Sequence, residues 1–436
     1  MFRIPLMLVC IACIALTIAA TDQRPGAPAQ PAVGQRFWPQ WRGPHAAGIS
    51  RTAQPPLEWS ETKNVRWKIE IPGRGAATPV IWGERVYVPT AVPADRSSGV
   101  RSVHRFVLMS INRKDGSIAW QRTAKEEPPH EGTHQEFGTM ASPSAVTDGE
   151  HVIVSFESRG IFAYDMNGAP VWQKDLGDKR MRNEFGEGSS PALYKDKLFV
   201  VWDHQGESFI AALNKRTGEE LWRTKRDEID SWSTPLVVEH EGRPQVITGA
   251  MRGVRSYDAE TGKVVWDTAG LTMNPIPSPV AADGLVILMS GFRGNSLKAI
   301  RLADAKGTIT GPPAIAWTLD RDTPYVPSPL LYDGTLYFMK SNNALISAFD
   351  AKTGKPYYQA QRLETLPGNV FASPVGAAGR VYVLGQEGTA VVVKHGPTLD
   401  IVATNKLDDR FDASPALVDR EIYLRGYKNL YCLAEN

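Results

Sequence analysis

The 436-residue chain carries 49 Lys and Arg against 47 Asp and Glu, a formal charge of +2, so no overall field steers it towards nucleic acid or an anionic membrane. With 42% hydrophobic and 22% charged residues it has globular composition, which excludes the disordered and fibrous classes.

At the amino terminus, Met1-Phe2-Arg3 and the apolar run Ile4 to Ala20 read as a cleaved secretory signal, residues 1–20. The run barely reaches spanning length and no second apolar stretch follows, so no transmembrane segment is expected in the mature chain. A lipid anchor at Cys10 or Cys13 is disfavoured because the apolar run continues past both. The expected location is the periplasm or the extracellular space. Cys432 is then the one cysteine of the mature chain, which leaves no intramolecular disulfide and places stability in packing.

Residues 21–36, with Pro25, Gly26, Pro28, Pro31 and Gly34, read as a flexible lead. Ordered structure is expected from 37 to 436, beginning with Phe37-Trp38-Pro39-Gln40-Trp41-Arg42-Gly43-Pro44. Three aromatics in five residues suit a segment that plugs or clasps one face of the body; the alternative is an exposed contact site, for carbohydrate, at Phe37, Trp38 and Trp41.

Eight marks of a small or hydroxyl residue followed by Pro and an apolar strand then punctuate the chain, at Thr78-Pro79, Ser142-Pro143, Ser190-Pro191, Thr234-Pro235, Ser278-Pro279, Ser328-Pro329, Ser373-Pro374 and Ser414-Pro415. The Pro-to-Pro steps of 64, 48, 44, 44, 50, 45 and 41 residues match the roughly 40–50 of a four-stranded propeller blade, and no helical periodicity competes. A hairpin completes most units: Ser256-Tyr257-Asp258-Ala259-Glu260-Thr261-Gly262-Lys263-Val264-Val265-Trp266 recurs at 212–222, 110–120 and 348–358, with a shorter copy at 163–172. Asp or Asn and a positive-φ Gly make the turn, and a large aromatic closes the strand. The closing rings Trp67, Trp120, Trp172, Trp222, Trp266, Trp317 and Tyr358 are expected to wedge between blades, each worth about 3–5 kcal/mol on truncation to Ala.

The eighth unit stops after three strands, ending Leu430-Tyr431-Cys432-Leu433, while a spare strand, Asn64-Val65-Arg66-Trp67-Lys68, precedes the first mark. The spacing therefore predicts an all-β, eight-bladed β-propeller of four-stranded antiparallel blades, in which the amino-terminal strand completes the last blade and removes an open edge.

The Ala-x-Asp-x-x-Thr-Gly-x-x-x-Trp pattern resembles the tryptophan-docking repeat of the pyrroloquinoline quinone (PQQ) repeat superfamily, and Trp-Pro-Gln-Trp-Arg-Gly-Pro at 38–44 is similar to secreted PQQ-binding-like β-propeller repeat proteins. The resemblance covers residues 37 to 433 and implies two alternatives. One is a PQQ- and Ca²⁺-dependent alcohol or sugar dehydrogenase; the other is a non-catalytic scaffold, like the outer-membrane β-barrel assembly lipoprotein. The enzymes of the superfamily place a Trp below the quinone and a disulfide of adjacent cysteines above it, and Cys432 alone cannot supply the second.

Residues just before the Pro marks, where outer strands lead into inner ones, are the candidate channel-mouth set: Arg74, Glu187, Asp230, Trp232, Asn274, Tyr325, Asn369, Arg410 and Asp412. They offer a stacking ring (Trp232), oxygen ligands (Glu187, Asn274, Asp412) and cations (Arg74, Arg410), suited to a small polar or anionic ligand; the competing reading is a water-filled channel without a ligand. The stretch Ala124 to Met140, with His130-Glu131-Gly132-Thr133-His134-Gln135-Glu136, reads as a solvated loop rather than a metal site, because a Gly between the two His removes the helix that would align them. The insertion Pro89 to Arg105, with Arg96, Arg101, His104 and Arg105, is a weak candidate for an anionic contact. Taken together, the sequence points to a secreted monomeric scaffold that contacts envelope or secreted proteins through loops and channel mouth.

Overall fold

The computed structural model describes residues 1–2, 33–94 and 101–435; all but the first two residues of the expected signal at 1–20, most of the lead at 21–36, and Arg96 lie outside them. Eight sheets follow one another around a ring, each with the strand order expected from the repeats, inner, middle, middle, outer. The first blade comprises Val80–Trp82, Arg85–Pro93, His104–Asn112 and Ile118–Glu127. The insertion at 89–105 is a lengthening of its central hairpin, with Val92 opposite Arg105 and Pro93 opposite His104.

Closure is as the spare strand implied. Val65–Glu70 pairs antiparallel with Asn429–Ala434, placing Trp67 opposite Cys432 and Ile69 opposite Leu430. The eighth blade is thus built from both ends of the described chain, and Cys432 lies buried and free within it.

The Thr-Gly turn and the closing Trp recur together because they touch. Each ring sits on the turn of the next blade: the indole N–H of Trp67 donates to Arg113 O (2.9 Å), Trp120 to Met166 O (3.2 Å), Trp172 to Lys215 O (2.8 Å), Trp222 to Ala259 O (3.1 Å) and Trp317 to Ala351 O (2.9 Å). Asn or Asp shapes the turn through its side chain; Asn214 Oδ1 accepts from the amides of Arg216 and Thr217. Gly218 then stands at φ 71° with a position for Cβ only 2.6 Å from Trp172 Cε3, so both backbone and space demand glycine. Gly218→Ala is expected to lower stability by about 2 kcal/mol or more, read as a shift in urea midpoint; an unchanged midpoint would remove the docking explanation.

Where the repeat lapses, other segments fill in. Blade five lacks a Thr-Gly turn, having Leu302–Asp304 as a short 3-10 turn, so Trp266 has nothing of that kind to dock on. Instead Gly307–Ile309, from the insertion that follows, adds as a fifth, parallel strand to the edge of blade four, and Trp266 is fully buried with its N–H on Gln245 Oε1 (3.1 Å). Blade seven has Ala403 at the aromatic position, opposite Val392. Trp59, from the segment preceding the spare strand, packs into the same apolar cluster and stacks on Tyr382 at 6.3 Å.

The Phe37–Pro44 segment is a plug. Trp38 is fully buried and bridges Ile81, and Arg42 is buried with its guanidinium donating to Pro329 O (2.8 Å). Burial of Trp38 takes that ring out of the carbohydrate contact expected of Phe37, Trp38 and Trp41, while Phe37 and Trp41 are half-buried.

Candidate functional site

The channel is defined by what the inner strands require. An inner strand presents its first amide to the axis, where no neighbouring strand can accept it, and a buried N–H without a partner is costly. A hydroxyl on the adjacent blade supplies the acceptor. The amide of Thr78 donates to Ser144 Oγ (3.0 Å), Ser144 to Ser190 (2.9 Å), Ser190 to Thr234 (3.0 Å), Thr234 to Ser278 (3.3 Å), Ser278 to Ser328 (2.9 Å), Ser328 to Ser373 (2.9 Å) and Ser373 to Ser414 (2.8 Å). Thr78 Oγ1 closes the circle on Ser414 O (3.0 Å). The Pro that usually follows has no N–H to satisfy, which is why Ser/Thr-Pro marks the units. In blade two the belt residue is Ser144, followed by Ala145; the sequence mark at Ser142-Pro143 is two residues early, because Pro is dispensable where the hydroxyl is not.

Trp41 enters this belt from the face on which the inner strands run away, beside Ala192, Leu193 and Val237, and its indole N–H donates to Ser278 Oγ (2.9 Å). On the other side of the belt lies a cavity of about 160 Å³. Its wall is largely aromatic: His134 stacks on Phe137 at 3.7 Å, Phe137 meets Phe371 at 4.8 Å, and Phe185 lies 5.0 Å from His134. Trp232 is held by its N–H on Gly186 O (2.7 Å), and Tyr325 is stacked on Phe292 at 4.7 Å.

Of the residues named from sequence, Glu187, Trp232, Asn274, Tyr325 and Asp412 line this cavity together. Arg74 and Arg410 do not; both are exposed and flank the ring of Tyr427 at 4.5 and 5.3 Å. Asn369 is exposed, its carbonyl accepting from Gln386 N (2.9 Å). Asp230 is buried and bound to the amide of Arg182 (3.0 Å). Phe137, Phe185 and Phe371 were not legible as site residues, since isolated Phe in loops carries no spacing signal.

The carboxylates of the cavity are occupied by neighbours. Glu187 Oε1 accepts the amide (3.2 Å) and hydroxyl of Ser158, and its Oε2 faces Lys179 Nζ at 3.4 Å. Asp412 accepts from Gln386 Nε2 (2.8 Å) and Tyr427 OH (2.5 Å), and burial raises its pKa. Asn274 Oδ1 is the remaining oxygen of the sequence-named ligands, buried and without a hydrogen-bond partner. A hard cation such as Ca²⁺ needs six to eight oxygens, and one amide oxygen beside two committed carboxylates does not fit that requirement. The residues present therefore do not suit the Ca²⁺-bound quinone of the dehydrogenases.

The 128–140 stretch departs from the solvated loop expected of it. Glu131 is buried, both of its oxygens accepting the Met181 amide at 3.3 and 3.1 Å, and His130 Nε2 lies 2.5 Å from Lys179 O. Sequence spacing gave no hint, because the partners come from a loop fifty residues on. Burial, reinforced by Glu187, Glu184 and Asp230 and partly offset by the Met181 amide, raises Glu131 to about pH 7. The folded protein thus keeps a proton that an unfolded carboxyl releases near 4.3. Stability from this group is full below the unfolded value and is lost as pH rises to about 7. Glu131→Gln is expected to flatten that part of the midpoint-versus-pH curve; superimposable slopes for the two proteins between pH 5 and 7 would count against it.

A family model described as outer membrane protein assembly factor BamB matches residues 56–209 and 206–435. Methanol dehydrogenase [cytochrome c] subunit 1 of Methylorubrum extorquens is 34% identical over 88 residues, 19% of this chain and 13% of that one. The Yersinia pestis outer membrane protein assembly factor BamB is 25% identical over 242 residues, 49% of this chain and 58% of that one, so the chain spans less than two thirds of either relative. The structure of a europium-containing methanol dehydrogenase superposes with a TM-score of 0.66 at 10% identity, over 92% of this chain and 98% of the other, a likeness of fold alone. No helix among the described residues is long and apolar enough to cross a membrane.

Proposed function

Because the chain belongs to the family of PQQ-like repeat propellers whose model is described as outer membrane protein assembly factor BamB, we propose that it is an exported, non-catalytic binding scaffold that engages its partner through the aromatic channel mouth. The observation that carries this reading is the commitment of every sequence-named carboxylate in the cavity. Glu187 is tied to Ser158 and Lys179 and Asp412 to Tyr427 and Gln386, which leaves neither a free base nor a cation ligand set. What the mouth retains is binding character: stacked rings, one unpartnered amide oxygen at Asn274, and a floor closed by Trp41. Such a cavity takes one apolar or aromatic side chain of an envelope protein, or a small flat polar ligand.

The test has two arms. Purified protein mixed with PQQ and CaCl₂ is expected to show no bound-quinone absorbance and no alcohol-dependent dye reduction. A photo-crosslinker at Gln135, exposed beside the mouth, is expected to give a discrete adduct in envelope extracts that Phe371→Ala weakens. A stoichiometric quinone complex with dye reduction would replace the scaffold reading with the dehydrogenase one.

A further inference from the structure

On the blade-eight side of the channel mouth the protein carries positive charge that its own acids do not answer. Three segments meet there: the link into blade one around Arg74, the link into blade eight around Arg410, and the loop Gly426-Tyr427-Lys428 between the second and third strands of blade eight. Backbone bonds hold them together, Tyr427 N donating to Arg410 O (2.8 Å) and Ile71 N to Lys428 O (2.9 Å). Arg74 and Arg410 are exposed and lie on the one Tyr427 ring, at 4.5 and 5.3 Å. Among the described residues neither guanidinium has an ion-pair or hydrogen-bond partner.

The acids close by are already bound elsewhere. Asp409 accepts the amides of Arg410 (2.8 Å), Lys428 (3.2 Å) and Asn429 (2.9 Å) on its two oxygens. Asp412 accepts from Tyr427 OH and Gln386. Glu136 meets Tyr427 through its backbone, its carbonyl accepting the hydroxyl at 3.3 Å, and makes no ion pair with either arginine. Arg425, immediately before the loop, adds to the excess. It is 1% exposed, with Nη1 on Gly426 O (2.8 Å) and with Nε and Nη2 unpartnered.

This charge adjoins the aromatic cavity. Asp412, which holds the Tyr427 hydroxyl, lines the cavity together with Phe137 and Phe371. Burial raises the Asp412 pKa, and the Tyr427 and Gln386 hydrogen bonds and the charges of Arg410 and Arg74 partly offset that, so both guanidiniums act on a group of the cavity wall.

We propose that Arg74 and Arg410 receive acidic side chains of the partner, so that the segment docking at the mouth is an aromatic residue flanked by Asp or Glu. This rests on the scaffold reading above and names the chemistry of its partner. The planar guanidinium presents paired donors that match a carboxylate. Two exposed arginines on a chain of formal charge +2 do not make the long basic track that nucleic acid or an anionic membrane requires. Exposed ion pairs add little affinity, so the pair contributes discrimination and encounter rate while the cavity supplies the grip.

The experiment measures calorimetric binding of two capped peptides, acetyl-Glu-Glu-Phe-Glu-Glu-amide and acetyl-Gln-Gln-Phe-Gln-Gln-amide, to the purified full chain. The acidic peptide is expected to bind about fivefold tighter in ~50 mM NaCl, with the difference lost by ~500 mM. Arg74→Gln combined with Arg410→Gln should make the two peptides equal, whereas Arg362→Gln, at the end of the outer strand of blade six, should leave the preference intact. Phe371→Ala should weaken both peptides together, which reports on the cavity separately from the arginines. Equal binding of the two peptides to the unaltered protein overturns the proposal and leaves the cavity reading standing, as does a preference that survives the double substitution. Binding of neither peptide overturns it as well, while the Gln135 crosslink still decides the scaffold reading. Inorganic phosphate that binds as tightly as the acidic peptide, and is lost in the same double variant, would also overturn it, since the rim would then be a phosphate site.

Discussion

Replacing Arg113 by Met is expected to lower stability by about 3 kcal/mol or more, because it removes the charge that fastens the first blade to the eighth. The Arg113 guanidinium donates through Nε to Glu421 (2.7 Å) and Tyr423 OH (3.1 Å), through Nη2 to Asp419 (2.6 Å), and through Nη1 to Gly83 O (3.3 Å). Arg113 is 7% and Glu421 5% exposed. Once Arg113 is gone, Glu421 keeps the Tyr423 hydroxyl and Arg66, whose side chain is 38% exposed, but loses its buried cation. A buried carboxylate left with one half-exposed cation is the costly outcome, more than the loss of attraction itself. Urea denaturation should show the drop, and hydrogen exchange should show it concentrated in Val65–Glu70 and Asn429–Ala434. A wild-type midpoint would mean that strand pairing alone holds the ring closed.

The second large effect lies between blades three and four. Asp203 and Arg226 are both fully buried, with Nε and Nη2 of the guanidinium on the two carboxylate oxygens at 2.7 and 2.9 Å. The free Nη1 reaches across to Thr248 Oγ1 (2.8 Å) and Tyr257 OH (2.6 Å) of blade four. Asp203→Ala strands a guanidinium where water cannot reach it, with an expected loss of about 3–5 kcal/mol. Asp203→Leu combined with Arg226→Met removes both charges while keeping volume, and should cost markedly less than the single change. The comparison is a double-mutant cycle in denaturant; additive losses would show that the two residues act separately.

The architecture was legible because it is written periodically. Thr-Gly turns and closing Trp at a fixed separation, eight hydroxyl marks and a spare strand ahead of the first mark each report a local rule that the whole ring obeys. What escaped the sequence is what the repeats do not repeat. Ser144 rather than Ser142 holds the belt position, since the hydroxyl matters more than the Pro beside it. Gly307–Ile309 covers blade four and Trp59 packs in the cluster that holds Ala403, and both come from segments outside the repeat.

The same holds at the site. Trp232, Asn274 and Tyr325 follow from their place before an inner strand, whereas Arg74 and Arg410 share that place but turn outward onto Tyr427. Position along the chain fixes where a residue starts, and charge decides whether it can afterwards be buried. Glu131 is the reverse case, an acid in a polar loop that the fold nonetheless buries beside other acids.

The pairing of Val65–Glu70 with Asn429–Ala434 sets an order of events. The opening strand is among the first parts of the propeller to leave the ribosome, yet its partner is the last of the propeller's described strands to follow. Until then it waits with unpaired amides, and the seven blades between form an arc rather than a ring. Contacts of this sequence separation form slowly and leave edges open to wrong partners. A chain cut short before Asn429 therefore ends as an open crescent prone to stick to its own kind, and the yield of soluble protein should depend on whether those final residues are present.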